Sequence, residues 1–207
     1  MDDRRLIHII DDDDAIRRSA SFMLKTSGFA VETWPSGVAF LKDARHAETG
    51  CVLLDVRMPD MDGLDVQQAM NDRGIAMPVI ILTGHGDIAI AVRAMKAGAV
   101  EFIEKPFEKA VLLAAIATAF ERLDRAESQA MRAAGAALAI AGLTVREREV
   151  LDGLARGLPN KTIAYDFGIS PRTVEVHRAN IMTKLHARSL SDVLRTAFAA
   201  GLGKVDA

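Results

Sequence analysis

Along the first part of the chain, short apolar runs bounded by turn signals alternate with longer segments whose apolar residues recur at helical spacing, the pattern of repeated βα units. Five runs read as strands, at 6–10, 30–33, 51–54, 79–82 and 101–103. Amphipathic stripes lie between them, such as Ile16, Ala20, Met23 and Leu24 after the first run and Ile88, Val92 and Met95 after the fourth. Gly28 and Gly98 are placed to close those two helices. A further stripe, Leu112, Ile116, Ala119 and Leu123, follows the last run. Strict alternation of this kind predicts an α/β fold, a doubly wound parallel sheet of five strands with helices on both faces.

The pattern changes beyond residue 123. Residues 124–141 are alanine-rich and lack proline, which favours a helix continuing from the preceding stripe over a flexible tether, with Gly135 and Gly142 as its expected breaks. Thr144 with Glu147 three residues later forms a capping box that opens an all-helical segment. A short helix over 160–167 ends at Gly168. Ser170 then caps a second helix with Pro171 at its first position, where a missing amide costs nothing; it runs to about Leu185, and a last helix covers 189–198. The expected division is 1–123, a helical linker at 124–142, and 143–207.

Length agrees with two units, since 207 residues exceed one typical domain. Half the residues are apolar and 26% are charged, so the chain buries real cores. Its longest apolar runs, such as 111–116, fall far short of the about 18 residues a membrane span needs, and the N-terminus lacks the shape of a signal peptide. The expected location is the cytoplasm. The single cysteine, Cys51, excludes an internal disulfide and a Cys/His zinc cluster and reads as a small core residue. The net charge of −2 conceals a division. Residues 143–207 carry ten Lys and Arg against seven Asp and Glu, whereas the first 142 residues carry 16 against 21. An acidic half precedes a basic one, which points to different partners, with nucleic acid a candidate for the second.

In an open parallel sheet the ligand crevice lies outside the carboxyl ends of the strands. Asp11 to Asp14 follow the first predicted strand, Asp55 ends the third, Thr83 ends the fourth and Lys105 follows the fifth. Singly, each has an ordinary explanation: aspartates at a helix start favoured by its dipole, a surface lysine, a threonine capping a turn. Asp13 and Asp14 are read in that way. The coincidence at successive strand ends is what singles out Asp11, Asp12, Asp55, Thr83 and Lys105. Three clustered carboxylates repel one another unless a cation neutralises them, and an all-oxygen set suits Mg²⁺. Asp55 is then the expected nucleophile toward a phosphoryl group, with Lys105 offsetting charge and Thr83 donating to a phosphoryl oxygen.

Asp11-Asp12, Asp55 with Met58-Pro59-Asp60-Met61-Asp62-Gly63, Thr83-Gly84-His85-Gly86 and Lys105-Pro106-Phe107 make residues 5–124 resemble the receiver domain of bacterial two-component response regulators. The resemblance implies a flavodoxin- or CheY-like fold in which Asp55 accepts phosphate from a sensor histidine kinase. It also implies that Asp12 and Asp55 bind Mg²⁺ directly and Asp11 through water, with the backbone carbonyl of Arg57 as a further ligand. Phe102, three positions before the lysine, would be a switch residue that turns inward on activation. Many relatives carry tyrosine there, so in this chain any signal runs through packing. A cis Lys105-Pro106 bond is implied as well. The mechanistic expectation is that phosphate on Asp55 shifts Thr83 and Phe102, so that the fourth helix and fifth strand present a dimerisation face including Val92, Lys96 and Glu101.

In the second half, a short helix, a glycine turn and a longer helix are the ingredients of a helix-turn-helix DNA reader. Over 160–188 the basic residues Lys161, Arg172, Arg178, Lys184 and Arg188 stand against Asp166 and Glu175. The longer helix shows a buried stripe at Val174, His177, Ile181 and Leu185, which makes His177 structural. Arg172, Thr173, Glu175, Val176, Arg178 and Ala179 remain for a face that enters a major groove. The segments Leu143-Thr144-Val145-Arg146-Glu147-Arg148-Glu149-Val150-Leu151, Asn160-Lys161-Thr162-Ile163-Ala164 and Thr173-Val174-Glu175-Val176-His177-Arg178 closely resemble the LuxR/NarL-type DNA-binding domain. That resemblance implies a scaffold helix at 160–167 and a recognition helix at 170–185. Lys161, Thr173, Asn180 and Lys184 are the expected phosphate contacts; Glu175, Val176, Arg178 and Ala179 are the expected base readers. Arg178 suits guanine, Glu175 a cytosine amino group and Val176 a thymine methyl. Two departures stand out: Pro159 replaces a common serine, which moves the capping duty to Asn160, and the acidic Glu175 weakens nonspecific affinity.

Both resemblances in this order identify the chain as a member of the NarL/FixJ-type response regulators. The runs 9–12, 83–87 and 95–107 are most similar to the FixJ branch, regulators of nitrogen-fixation genes. What this implies is a FixL-like sensor kinase, double-stranded DNA and RNA polymerase as partners, a homodimer when phosphorylated, and activation of nitrogen-fixation or microaerobic genes. Mg²⁺ is implied for phosphorylation and no organic cofactor is. A FixJ-like regulator of another pathway is the alternative. An Mg²⁺-dependent phosphatase using Asp55 is disfavoured, because Arg57 stands where the haloacid-dehalogenase type carries a second aspartate, and such an enzyme leaves the DNA-binding half unexplained. A ligand-sensing LuxR-type regulator is disfavoured by the βα repeats and the few aromatics. The chain is expected to be a regulator and not an enzyme.

Overall fold

Strands of almost wholly apolar sequence belong in the middle of a sheet covered on both faces, and β1 (Leu6–Ile10), β3 (Cys51–Asp55) and β4 (Val79–Thr83) are buried at every residue. The computed structural model describes residues 5–84 and 88–203, so His85, Gly86 and Asp87 of the Thr83 motif lie outside the described residues. The edges, β2 (Ala30–Trp34) and β5 (Glu101–Glu104), are partly exposed. All pairings are parallel, in the order β2-β1-β3-β4-β5. All but the first strand extend one residue beyond the apolar run that predicts them, so that Asp55 and Thr83 are themselves the last strand residues.

Two cores sandwich this sheet. On one face, Ala20 and Leu24 of α1 (Asp14–Thr26) pack with Leu112, Ile116 and Phe120 of α5 (Lys109–Ala141) against Ile7, Ile9 and Leu53. On the other, α2 (Gly37–Asp43), α3 (Gly63–Asp72) and α4 (Ile88–Lys96) supply Phe40, Leu64, Met70 and Ala94 against Ile10, Leu54 and Ile81. Cys51 is fully buried, and burial pushes its thiol pKa up. Gly28 and Gly98, at φ of 94° and 95°, end α1 and α4 in the left-handed region that only glycine adopts without strain.

The chain divides into two units, 1–124 and 125–207, and α5 runs through the division without interruption. Gly135 is therefore not a break, contrary to expectation. One glycine costs a helix only about 1 kcal/mol relative to alanine; its neighbours are alanines, and Ala136 and Ile140 beyond it are buried. The second unit wraps α6 (Val145–Ala155), α7 (Asn160–Asp166), α8 (Pro171–Lys184) and α9 (Leu190–Ala199) around Ile140, Leu151, Ile163, Val174, Ile181 and Val193. The Thr144–Glu147 capping box and the Ser170 cap with Pro171 are both formed. The cap expected of Asn160 is not: Pro159 occupies the N-cap position without a side-chain bond, and Asn160 is the first helical residue, with its side chain used elsewhere.

Candidate functional site

The parallel register carries β1, β3, β4 and the residue after β5 to one edge of the sheet, where Asp11, Asp55, Thr83 and Lys105 are 2%, 7%, 1% and partly exposed. Lys105 Nζ donates to Asp11 Oδ2 and to Asp55 Oδ1, both at 2.6 Å. The other Asp55 oxygen accepts from the Arg57 backbone N–H at 2.8 Å. Asp11 Oδ1 accepts from the Asp13 N–H at 2.9 Å, and Asp13 in turn caps α1 through the N–H groups of Ala15 and Ile16. Burial pushes the Asp55 carboxyl above its usual range against the pull of Lys105. For Lys105 burial works the other way, but bonds to two carboxylates outweigh it and hold the ammonium above its usual value.

These carboxylates converge in pairs rather than as three. Asp12 is exposed, and among the described residues no group of three or more His, Cys, Asp or Glu side chains is arranged to hold a metal ion. The cation that separates Asp11 from Asp55 is the Lys105 ammonium. The donor set nonetheless fits Mg²⁺ in kind: two buried carboxylates on one locus, a third on the adjacent residue and only oxygen ligands. The Lys105-Pro106 bond is cis, and the Lys105 N–H continues the sheet by donating to Thr83 O at 2.7 Å. Phe102 is half-buried against the core and borders a cavity of about 650 Å³ lined also by Phe107 and Val111. Val92, Lys96 and Glu101 are exposed on the first unit.

Two residues of this site carry roles that the strand pattern does not show. Arg17 on α1 donates to the Asp11 carbonyl at 2.7 Å and to Asp14 at 3.2 Å, tying the helix to the end of β1. Gly63 packs its Cα against β3, where an added Cβ would stand 2.2 Å from the Asp55 carbonyl oxygen. Its N–H donates to Val56 O at 2.8 Å, which closes the loop between β3 and α3 at its two ends.

In the second unit, α7 and α8 form the expected helix-turn-helix around Gly168 at φ 64°. Lys161, Arg172, Glu175, Val176, Ala179 and Asn180 are exposed. Three others are engaged within the unit. Thr173 is half-buried with its hydroxyl 2.8 Å from Ser170 Oγ. Arg178, expected on the open face, is half-buried and donates to Asn160 Oδ1 at 3.2 Å. Lys184 donates to Glu147 Oε2 at 2.7 Å. His177 is half-buried, and among the described residues its Nδ1 has no hydrogen-bond partner. The sequence signal for the Lys184 pair was available in part, because Glu147 belongs to the capping box; its cross-helix partner was not.

Glu147 is 3% exposed, and the Lys184 ammonium followed by the Thr144 N–H holds its carboxyl below its ordinary value of 4.5. A lowered folded pKa contributes stability that is present above pH 4.5 and lost as the pH falls through the folded value. Glu147→Ala removes the cap and the ion pair together and is expected to cost about 1–2 kcal/mol near neutral pH. In thermal melts followed by circular dichroism the difference from the parent should shrink below pH 4.5; an undiminished difference at acid pH would mean that lost packing, not charge, sets the cost.

Comparison with known proteins assigns a family to each unit. Residues 7–117 match the family described as response regulator receiver domain, and residues 141–197 match the luxR family of bacterial regulatory proteins. The transcriptional regulatory protein FixJ of Azorhizobium caulinodans is 49% identical over 97% of this chain and 95% of its own. The response regulator protein TodT of Pseudomonas putida is 42% identical over 94% of this chain and 86% of its own. Among solved structures, the response regulator StyR superposes with a TM-score of 0.74 at 40% identity, covering 94% of this chain and 98% of that one.

Proposed function

The chain belongs to the FixJ-type DNA-binding response regulators of two-component systems, which join a receiver domain to a LuxR-type DNA-binding domain, and we propose that it acts by accepting phosphate on Asp55, dimerising and activating transcription. The observation that carries this reading is the placement of Lys105 between Asp11 and Asp55 at the carboxyl edge of the sheet. An Asp55 carboxylate oxygen attacks the phosphorus of a kinase phosphohistidine. The P–N bond breaks, its electron pair stays on the imidazole, and the ring takes up a proton. Lys105 follows the charge from the carboxylate to a phosphoryl oxygen, and the Thr83 hydroxyl donates to another. Asp12, Asp55 and the Arg57 carbonyl would hold Mg²⁺ directly and Asp11 through water, and the ion would supply positive charge to offset that on the phosphoryl group.

A mostly apolar cleft of about 600 Å³, lined by Ile16 and Met23 of α1 and by Pro106 and Phe107, opens beside Lys105 and offers the phosphodonor domain a seat. Phe102 borders its own cavity and so has room to change rotamer when Thr83 moves. Dimerisation through the face bearing Val92, Lys96 and Glu101 brings two recognition helices to two half-sites, and affinity rises by bivalency. Lys161, Thr173, Asn180 and Lys184 take the phosphate backbone, with Arg172 on the same DNA-facing side; Glu175, Val176, Arg178 and Ala179 take base edges, with Arg178 leaving Asn160 to do so. The regulated genes are proposed to be those of nitrogen fixation or microaerobic growth, under a FixL-like kinase, because the identity to FixJ extends over both units; TodT marks the alternative of another pathway.

Sedimentation of the full chain before and after acetyl-phosphate treatment, at the concentrations where it binds operator DNA, tests the mechanism. Dimer on phosphorylation is expected; a monomer that binds operator equally well overturns it. Lys161→Ala is expected to weaken binding to all sequences alike and to reduce the slope of log affinity against log salt by about 1. A change confined to one operator sequence would move Lys161 from the phosphates to the bases.

A further inference from the structure

Between α1 and the end of β2 lies a cavity of about 420 Å³ that the phosphoacceptor chemistry does not use. Three cations line it, Arg17, Arg18 and Lys25, against a single carboxylate, Asp14. A local excess of positive charge is unexpected in a half of the chain that carries 16 basic residues against 21 acidic ones. The cations differ in how firmly they are held. Arg17 is 14% exposed, donates to the Asp11 carbonyl at 2.7 Å and pairs with Asp14 at 3.2 Å, so its guanidinium is set in place before any ligand arrives. Arg18 pairs with Asp14 at 2.6 Å, but its side chain is 74% exposed; exposed pairs of this spacing are weak and exchange readily for a better anion. Lys25 makes no ion pair among the described residues.

The remaining lining divides into hydroxyls, Ser21 and Thr33, and an apolar rim, Phe22 and Pro35. Phe22 is 73% exposed, so its ring stands at the rim with most of its surface open to a ligand. We infer that this cavity binds an organic phosphate monoester with a flat body, of the nucleoside monophosphate class. The phosphate lies among Arg17, Arg18 and Lys25, where guanidinium groups offer paired donors to its oxygens. Ser21 and Thr33 donate to the ester side, and the flat body covers Phe22. The volume lies within the range of small-ligand pockets and is well above what a bare phosphate fills.

The only tryptophan, Trp34, sits between Thr33 and Pro35 and reports on the cavity without a label. Full-length protein is titrated with AMP, with inorganic phosphate and with adenosine, following Trp34 fluorescence, and calorimetry registers any binding that leaves Trp34 silent. The expected result is saturable binding of AMP, at least tenfold tighter than of phosphate or adenosine. An R18A/K25A double variant should lose at least tenfold in AMP affinity, and Phe22→Ala should bring AMP down toward phosphate. All three positions are exposed, so their replacement leaves the core intact. No saturable binding, equal affinity for AMP and phosphate, or an unchanged affinity in the double variant overturns the proposal. None of these outcomes depends on whether Asp55 accepts phosphate.

Discussion

Asp55→Asn is expected to abolish uptake of phosphate from acetyl phosphate by the full chain, read as the loss of the phosphorylated species in the intact-protein mass spectrum. The carboxamide is nearly the same shape as the carboxylate but has no anionic oxygen to attack phosphorus. The surroundings should survive the change. The Arg57 N–H retains an oxygen acceptor, and Lys105 keeps its bond to Asp11 at 2.6 Å. Stability should not fall either. A folded pKa raised by burial means that ionised Asp55 opposes folding at every pH above its ordinary value of 3.8, and that this opposition eases as the group protonates on acidification. Removing the charge removes the opposition. Thermal melts of the asparagine variant should therefore lie at or above the parent near neutral pH. Phosphate that persists on the variant would place the acceptor on another residue.

The second large effect is expected at Gly63. A Cβ there would lie 2.2 Å from the Asp55 carbonyl oxygen and 3.0 Å from the Val56 Cα. Both are backbone atoms in or next to a fully buried strand, so neither gives way as the end of a flexible side chain would. Gly63→Ala is expected to cost about 3 kcal/mol, the upper part of the overpacking range. It should also slow acetyl-phosphate labelling more than tenfold, because the displaced loop carries the Arg57 N–H that orients Asp55. Labelling and melting temperature are measured on the same preparation. A variant that melts like the parent would show that the α3 start moves away from β3 freely.

The elements and the acidic edge were largely legible in the chain itself. Each strand was marked by an apolar run, and the runs differ from the strands only at their carboxyl ends, where one more residue still pairs across the sheet: Trp34 pairs with Ile10, Asp55 with Leu82, and Thr83 with Glu104. Periodicity reads side-chain chemistry, whereas a strand ends where its backbone bonds end. Gly135 misled for a related reason. Its local preference is against helix, but helix on both sides and the buried Ala136 and Ile140 outweigh a preference of about 1 kcal/mol.

Two other readings that changed concern a residue's partner on another element. A stripe drawn on α8 placed Arg178 on an open face, because it saw only that helix; Asn160 on α7 reaches it and holds it half-buried. Lys184, a plain basic residue at a helix end, is bound to Glu147 on α6. As proposed DNA contacts, both would have to give up a bond within the protein, which would lower their net contribution to binding.

The sequence by itself determined the alternation of strand and helix, the helical second half with its caps, and the arrival of Asp11, Asp55, Thr83 and Lys105 at successive strand ends. These follow from local periodicity and from the rule that parallel strands present their carboxyl ends to one side. Only the tertiary structure decided that one ammonium would join Asp11 to Asp55 while Asp12 stays exposed, and that Arg17, Arg18 and Lys25 would gather around a cavity. Lys105 and Asp11 are separated by 94 positions. No period links residues that far apart; their 2.6 Å contact exists because the sheet register and the packing of α1 and α5 bring the two strand ends together.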